Sequence, residues 1–251
     1  MPSRRPFIFG GMDSIVDPGP WHYGVDYLAV YFRADPRVLQ RLLPDFLKAG
    51  DGVCVAFISE FVSVSESKPE ALFDVPEKTL YREAAVGVGC VWKEKSGVFF
   101  PIMWVDQDWS LARGWLNGYA KRLADQIVMS RLHPMNPGIK PMGRGTKLAG
   151  YCVNDGSKVL SVKVRVDGKG DANDIVRFGS TFGVRRFPST HDSQERREEP
   201  VEVIKYDTSN SDIWIGEGEF AAAGLEGSPV VLKGLYYKSG FSISGAKVLK
   251  G

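Results

Sequence analysis

The chain has 251 residues, of which 43% are hydrophobic and 25% are charged, as is typical of a globular protein with a sizeable core. Its formal net charge of +2 at pH 7 is too small to attract nucleic acid or an acidic membrane surface. No apolar run is long enough to span a bilayer. The apolar stretch Phe7-Ile8-Phe9 is too short for the core of a signal peptide. We therefore expect neither nucleic acid nor a membrane as a partner.

The cysteines and histidines do not form a recognisable metal or nucleophile pattern. The three cysteines are odd in number and match no metal-ligand spacing, so we interpret them as buried thiols of a cytoplasmic protein. The three histidines are equally scattered, and we expect no metal site and no Ser–His or Cys–His nucleophile pair. These residues are Cys54, Cys90, Cys152, His22, His133 and His191.

The first third of the chain predicts two strands around a short helix. Residues 27–33 are rich in β-branched and aromatic side chains, which favours a strand. Asp35-Pro36 then begins a helix, with Asp35 as N-cap, and Pro44 ends it. Residues 53–64 return to a strand pattern, and the polar stretch 65–78 predicts a loop.

Later segments also alternate in the manner of strands. In residues 158–166, Val162 and Val164 alternate with Lys163 and Arg165, the period of a half-buried strand. Asn154-Asp155-Gly156 is a strong turn signal before it. Further strands are predicted at 79–92 and 98–105 with a turn at 94–97, and at 147–153, 176–187, 200–206, 212–220 and 229–248, with a solvated loop at 191–199.

No repeat, linker or low-complexity block divides the chain, so we predict one domain over residues 1–251. The many short strands and the few helical segments predict a mainly β fold, as a barrel or a sandwich.

The longest helical pattern runs from about Trp109 to Leu132. Lys121 lies off its apolar face, beside Gly114, Gly118 and Asp125 on the predicted helix. Two glycines there are unusual, because each costs a helix about 1 kcal/mol relative to alanine. Glycine is expected at such a position where another backbone or a ligand approaches closely. The alternative is an exposed Lys121–Asp125 pair. The apolar face consists of Ala112, Trp115, Leu116, Tyr119, Ala120, Leu123, Ala124, Ile127 and Val128.

The strand that begins near Tyr81 carries a second candidate. Glu83, Ala85, Gly87 and Gly89 point to one side of it, so a carboxylate is followed by three small residues on one face. Such a face can line a cavity. The alternative is a strand end with Glu83 in water.

Four segments together resemble the acetoacetate decarboxylase family. Residues 27–47, YLAVYFRADPRVLQRLLPDFL, are similar to the strand, helix and P-E-P-L segment of that family. Tyr81-Arg82-Glu83 resembles its Y-x-E, and Met103-Trp104-Val105-Asp106 its M-Y-x-D. Residues 113–122, RGWLNGYAKR, resemble its G-R-E-x-x-G-x-P-K-K block. The order and spacing agree over roughly residues 24–130.

The resemblance implies a curled β-barrel around a central cavity and a lysine that forms an imine with a ketone. Lys121 matches the imine-forming lysine, whose activation by desolvation or by a neighbouring cation is a known case in this family. Arg122 matches the adjacent lysine, whose charge disfavours a second ammonium. Glu83 matches the pocket glutamate, and Tyr81 and Arg113 lie in the matching motifs. The resemblance further implies a small keto substrate, no cofactor and a homo-oligomer.

Two departures affect the expected substrate. Val25 occupies the position of the family's carboxylate-binding arginine, and Phe57 occupies that of a second pocket glutamate, with Glu60 three residues on. A pocket with these residues is more apolar, and burying an unpaired carboxylate in it costs several kcal/mol. We therefore expect acetoacetate to be a poor substrate. Arg82 or Arg113 could replace the missing arginine, although Arg82 should face away from Glu83.

The sequence leaves two functions open. The first is a lyase that forms a Schiff base with a keto acid or ketone larger or more apolar than acetoacetate, such as a polyketide- or terpenoid-like ketone of secondary metabolism. Its reaction would be decarboxylation or a related aldol, dehydration or cyclisation step through the same imine. The second is a barrel that binds a small molecule without turnover, since a fold alone does not imply a function.

Overall fold

A computed structural model describes residues 16–187 and 198–250. Eleven strands make up most of these ranges, and the helices are short. The helices are α1 (Pro36–Gln40), α2 (Ala71–Asp74) and α3 (Asp108–Leu116), with a single 3-10 turn at Pro76–Lys78. The strands are β1 (Trp21–Arg33), β2 (Lys48–Ser65), β3 (Leu80–Trp92), β4 (Lys95–Val105), β5 (Lys121–Leu123), β6 (Gln126–Met129), β7 (Lys147–Asn154), β8 (Ser157–Lys169), β9 (Ser180–Arg186), β10 (Glu198–Ala222) and β11 (Val230–Val248).

Seven of the strands form a closed ring in the order β11-β1-β2-β3-β4-β9-β10, and β10 pairs back onto β11. Most neighbours are antiparallel, whereas β4 pairs with β9 and with β5 in parallel. The far end of β10 continues into β8, β7 and β6. The mainly β fold class predicted from the sequence is therefore confirmed, as a curled ring of strands rather than a regular barrel.

The alternation of side chains assigns the two faces of the ring. On β1, Tyr23, Tyr27 and Tyr31 point inward, whereas Leu28 and Val30 point outward, because successive side chains of a strand face opposite sides. The outward residues of β1 to β3 pack against the strands β6 to β8 and form the largest hydrophobic core. Aromatic side chains dominate the inward face and surround a cavity, which is where the candidate site lies.

One predicted element is wrong. The sequence predicted a helix from about Trp109 to Leu132, but α3 ends at Leu116 and the chain continues as the strands β5 and β6. The reason lies at Gly118, whose φ of +86° ends the helix. The amide of Gly118 donates to the carbonyl of Trp115 and the amide of Tyr119 to that of Gly114, which is a Schellman motif. The apolar residues beyond it belong to short strands.

The other predicted strands fall on observed ones, with two differences: β1 begins at Trp21 rather than at residue 27, and the strands predicted at 200–206 and 212–220 are one strand, β10. The Asp35 side chain caps α1 by accepting from the amide of Arg37. The predicted loop at 65–78 includes α2 and the 3-10 turn, and most of the predicted loop at 191–199 lies outside the described residues. Within those residues, no helix is both long and apolar enough to cross a membrane.

Candidate active site

Lys121 is directed into the ring by the end of α3 and the start of β5. After the Schellman motif the chain runs alongside β4, with Lys121 paired to Met103 in parallel register. The indole of Trp115 donates to the Lys121 carbonyl at 2.9 Å and fixes the backbone. A Cβ atom at Gly114 would lie 2.3 Å from Lys121 Cδ, so only glycine leaves room for the lysine stem.

The Lys121 amine forms a buried ion pair with Glu83. Lys121 Nζ lies 2.7 Å from Glu83 Oε2, and the two side chains are only 6% and 7% exposed. The amine also donates to the hydroxyl of Ser110 at 3.2 Å. The structure thus brings a buried amine and a carboxylate into contact from β5 and β3.

A second cation, Arg113, lies beside this pair. Ser110, Arg113 and Gly114 share one face of α3 because residues three and four apart are neighbours on a helix. The Arg113 guanidinium is buried and donates to Ser63 Oγ at 3.2 Å. No carboxylate lies within ion-pairing distance of it among residues 16–187 and 198–250. Its other contacts are the rings of Trp21, Tyr23, Tyr81 and Trp109, at 5.0 to 5.6 Å.

Burial and charge set the protonation of these groups. Burial lowers the pKa of Lys121 below its ordinary value, Glu83 opposes that shift, and the positive charge of Arg113 adds to it. The largest of these effects is burial, so the neutral amine is more accessible than in a solvated lysine. Burial also raises the pKa of the phenols of Tyr27 and Tyr119, which stay protonated and can donate hydrogen bonds.

The groups line a chamber of about 100 Å³, which we call the inner chamber. A larger space of about 560 Å³, the outer chamber, adjoins it, and five residues line both. The shared residues are Tyr27, Phe57, Phe100, Thr181 and Lys205. The remaining residues of the inner chamber are Tyr23, Phe61, Tyr81, Glu83, Met103, Arg113, Gly114, Asn117, Tyr119, Lys121, Phe241 and Ile243.

The structure brings together five of the seven predicted site residues. Lys121, Glu83, Tyr81, Phe57 and Arg113 all line the inner chamber. Lys121 lies on β5 and not on the predicted helix, but Gly114 does lie against the lysine stem as predicted.

The other two predicted site residues lie elsewhere. Arg122 is exposed and points away from the inner chamber, because adjacent residues of β5 face opposite sides, so the cation near Lys121 is Arg113 instead. Val25 is buried in an apolar cluster with Phe61 and does not line the chamber. Arg82 bonds Glu60 at 2.9 Å on the outer side, as its position on the strand predicted.

Sequence reasoning missed several residues of the site. Tyr23 and Tyr27 share a face of β1, and their even spacing is a signal that could have identified them. Ser110 and Lys205 carry no comparable signal, because strand pairing and the true end of α3 place them. Among the described residues, no group of three His, Cys, Asp or Glu side chains could hold a metal ion.

The family model of acetoacetate decarboxylase matches residues 5–251. The chain belongs to the acetoacetate decarboxylase family. None of the curated proteins is a significant match. An acetoacetate decarboxylase-like enzyme from Sphingomonas wittichii RW1 is 38% identical, with a TM-score of 0.90 over 97% of this chain and 98% of that one.

Two further solved structures share the fold. The enduracididine biosynthesis enzyme MppR, complexed with pyruvate, is 25% identical, with a TM-score of 0.85 over 96% of this chain and 94% of that one. An acetoacetate decarboxylase is 17% identical, with a TM-score of 0.73 over 94% and 91% of the two chains, and at this identity it shows the fold alone.

Proposed function

We propose that the chain is a lyase in which Lys121 forms an imine with the ketone of a keto acid. The observation that carries the proposal is the buried contact of 2.7 Å between Lys121 Nζ and Glu83, with Arg113 beside it over the same Tyr81 ring. These groups supply a nucleophile, a carrier for its proton and a fixed cation for a substrate carboxylate.

Imine formation begins with transfer of a proton from Lys121 to Glu83. The neutral amine then adds to the ketone carbon, and Glu83 returns the proton to the carbinolamine hydroxyl, which leaves as water. The resulting iminium ion withdraws electrons from the neighbouring carbons, and Glu83 is again a carboxylate. Glu83 is within the hydrogen-bonding reach that proton transfer requires. Burial favours the neutral amine, because it disfavours the charged form of Lys121.

Arg113 is the proposed partner of the substrate carboxylate. Its guanidinium is buried among aromatic rings with one hydroxyl as a hydrogen-bond acceptor, and a bound carboxylate would offset the cost of that buried charge. Such a pair stabilises a carboxylate most while its charge stays localised, so it opposes the loss of carbon dioxide. We therefore favour an aldol or dehydration step on a 2-keto acid over decarboxylation.

In that step Glu83 removes a proton from the carbon next to the iminium, and the electron pair moves to nitrogen to give an enamine. The enamine carbon adds to the carbonyl of a second substrate, whose oxygen takes up that proton from Glu83. Glu83 then removes a second proton from the same carbon and passes it to the hydroxyl, which leaves as water. Hydrolysis of the iminium by another water releases the product and frees Lys121. The relative MppR has been complexed with pyruvate, and another structure of it holds the condensation product of pyruvate and imidazole 4-carboxaldehyde. These complexes support the proposal for this chain.

Borohydride reduction in the presence of pyruvate tests the proposal. We expect reduction to add a stable pyruvate-derived group to Lys121, identified by mass spectrometry of peptides. Lys121→Met and Lys121→Arg should lose both labelling and turnover, because neither supplies a neutral amine. Lys163→Met is the matched control, since Lys163 lies in an exposed ion pair with Glu219. Labelling of another lysine, or none with any keto acid, would contradict the imine.

A comparison of substrates tests the choice of reaction. Acetoacetate should release carbon dioxide slowly, while pyruvate with an aldehyde should give a condensation product. If acetoacetate has the best kcat/KM of a panel of keto acids, decarboxylation is the reaction and the role given to Arg113 is wrong.

A further inference from the structure

Lys205 carries a second amine in the cavity that the proposed imine chemistry does not use. It lies on β10 and lines both the inner and the outer chamber. It lies two residues after Val203 on β10, so the two side chains share a face of the strand, and both line the outer chamber. The strand therefore directs Lys205 towards the cavity.

The Lys205 amine lies over an aromatic ring. Lys205 Nζ lies 3.7 Å from the centroid of Phe241, and this ring stacks on Tyr23 with centroids 4.9 Å apart. Solvent still reaches Lys205, so the amine stands where the two chambers meet rather than in a closed core. The surrounding walls lower its pKa to about 8, which leaves it largely protonated at neutral pH.

The charges of the outer chamber have one sign. Lys205 and Arg177 are the charged side chains that line it, and no carboxylate does so among the described residues. The rest of its wall combines aromatic and aliphatic side chains, among them Tyr31, Phe178 and Tyr237, with the neutral polar groups of Thr208, Asn210 and Ser239. A cation that lacks a counterion beside such a wall favours an anionic ligand.

We propose that Lys205 binds an anionic group at the far end of the substrate, beyond an aromatic or apolar body held in the outer chamber. The inference rests on the proposed imine at Lys121 and extends it to the substrate class. The inner chamber of about 100 Å³ holds only the reacting end, whose carboxylate faces Arg113. The preferred substrate is then a keto acid, or a keto acid and its acceptor joined during reaction, with a second anion facing Lys205.

A matched pair of probes tests this inference. 4-Carboxyphenylpyruvate and 4-carbamoylphenylpyruvate have nearly the same shape and differ in the charge of the remote group. Half-saturation of borohydride labelling at Lys121 should need at least about 10-fold less of the carboxylate, since a hydrogen bond to a charged group contributes about 1.5 to 3 kcal/mol. Lys205→Met should reduce this ratio to near one, and Lys205→Arg should retain part of it.

Lys163→Met removes the same charge from the protein surface and should keep the wild-type ratio. Equal half-saturation of the wild type by the two probes, or a ratio that Lys205→Met does not change, would overturn the inference while labelling of Lys121 still supports the imine. If no probe labels Lys121, the proposed function fails. In that case the dissociation constants of the same two probes, measured by calorimetric titration without borohydride, test the anion site. Their ratio should favour the carboxylate in the wild type and fall to near one in Lys205→Met.

Discussion

Replacement of Glu83 by glutamine should lower the pH at which Lys121 loses its proton, and should slow the catalytic steps that transfer a proton. Glutamine keeps the size of the side chain and removes a negative charge 2.7 Å from the amine. Glu83 is the group that favours the ammonium form, whereas burial and Arg113 favour the neutral amine. Without Glu83, only effects that lower the pKa of Lys121 remain.

The magnitudes make this outcome measurable. Removing one partner of a buried ion pair costs about 3 to 5 kcal/mol if the other partner stays charged. Deprotonating an amine from its ordinary pKa of 10.5 costs about 5 kcal/mol at pH 7, at 1.36 kcal/mol for each pH unit. Because the two costs are comparable, Lys121 in Glu83→Gln can relieve the unpaired charge by releasing its proton near neutral pH.

The assay is borohydride labelling with pyruvate as a function of pH, run beside steady-state turnover. The pH at which labelling reaches half its maximum should be lower in Glu83→Gln than in the wild type, whereas kcat should fall about 100-fold or more through loss of the proton carrier. Glu219→Gln, which removes a carboxylate from the exposed pair with Lys163, is the matched control and should change neither quantity.

The pH dependence of the free energy of unfolding reports independently on the protonation of Lys121. A lysine pKa that is lowered on folding means that the folded chain binds fewer protons than the unfolded chain. The free energy of unfolding should then rise with pH between the lowered pKa of Lys121 and its ordinary value of 10.5, over a wider range in Glu83→Gln. Labelling of Glu83→Gln that needs a higher pH, or a variant with wild-type kcat, would refute this reasoning.

Two further variants test the geometry around the amine. Gly114→Ala places a Cβ 2.3 Å from Lys121 Cδ, so kcat should fall. The thermal midpoint should fall as well, because overpacking a buried site costs about 1 to 3 kcal/mol, more than the gain of up to about 1 kcal/mol from alanine in a helix. A variant with full activity and stability would show that the lysine stem moves freely. Arg113→Met should raise the half-saturating concentration of pyruvate by about 10- to 100-fold, with partial recovery in Arg113→Lys. That of acetone should rise much less, because acetone loses only the smaller effect of Arg113 on the pKa of Lys121. Equal effects on both would contradict a carboxylate contact.

The strands could be predicted from the sequence because their alternation survives in the fold. Val162 and Val164, read as the buried side of a strand, are fully or nearly fully buried in the main core. The same rule placed Glu83 and Ala85 on one face of β3, and both lie on the inward side of the ring. Period-two patterns are local, so they need no knowledge of which strands pair.

The end of α3 could not be recognised from the same kind of pattern. Apolar residues such as Leu123 and Ile127 fit a helical period by chance, although they belong to β5 and β6. Gly118 was interpreted as a small residue within the helix, whereas it is the left-handed residue that ends it. A glycine followed by Tyr119, whose amide caps the helix, was the available signal.

That helix end also determines which cation acts on Lys121. Had the helix continued, Lys121 and Arg122 would point in directions about 100° apart, but on β5 they face opposite sides and Arg122 is exposed. The like charge then comes from Arg113, which α3 presents on the same face as Ser110. One buried guanidinium can therefore lower the pKa of the Lys121 amine and receive the carboxylate of the substrate, two tasks that the sequence resemblance assigned to different residues. A bound carboxylate would neutralise Arg113, so Arg113 lowers the pKa of Lys121 most strongly before the substrate binds.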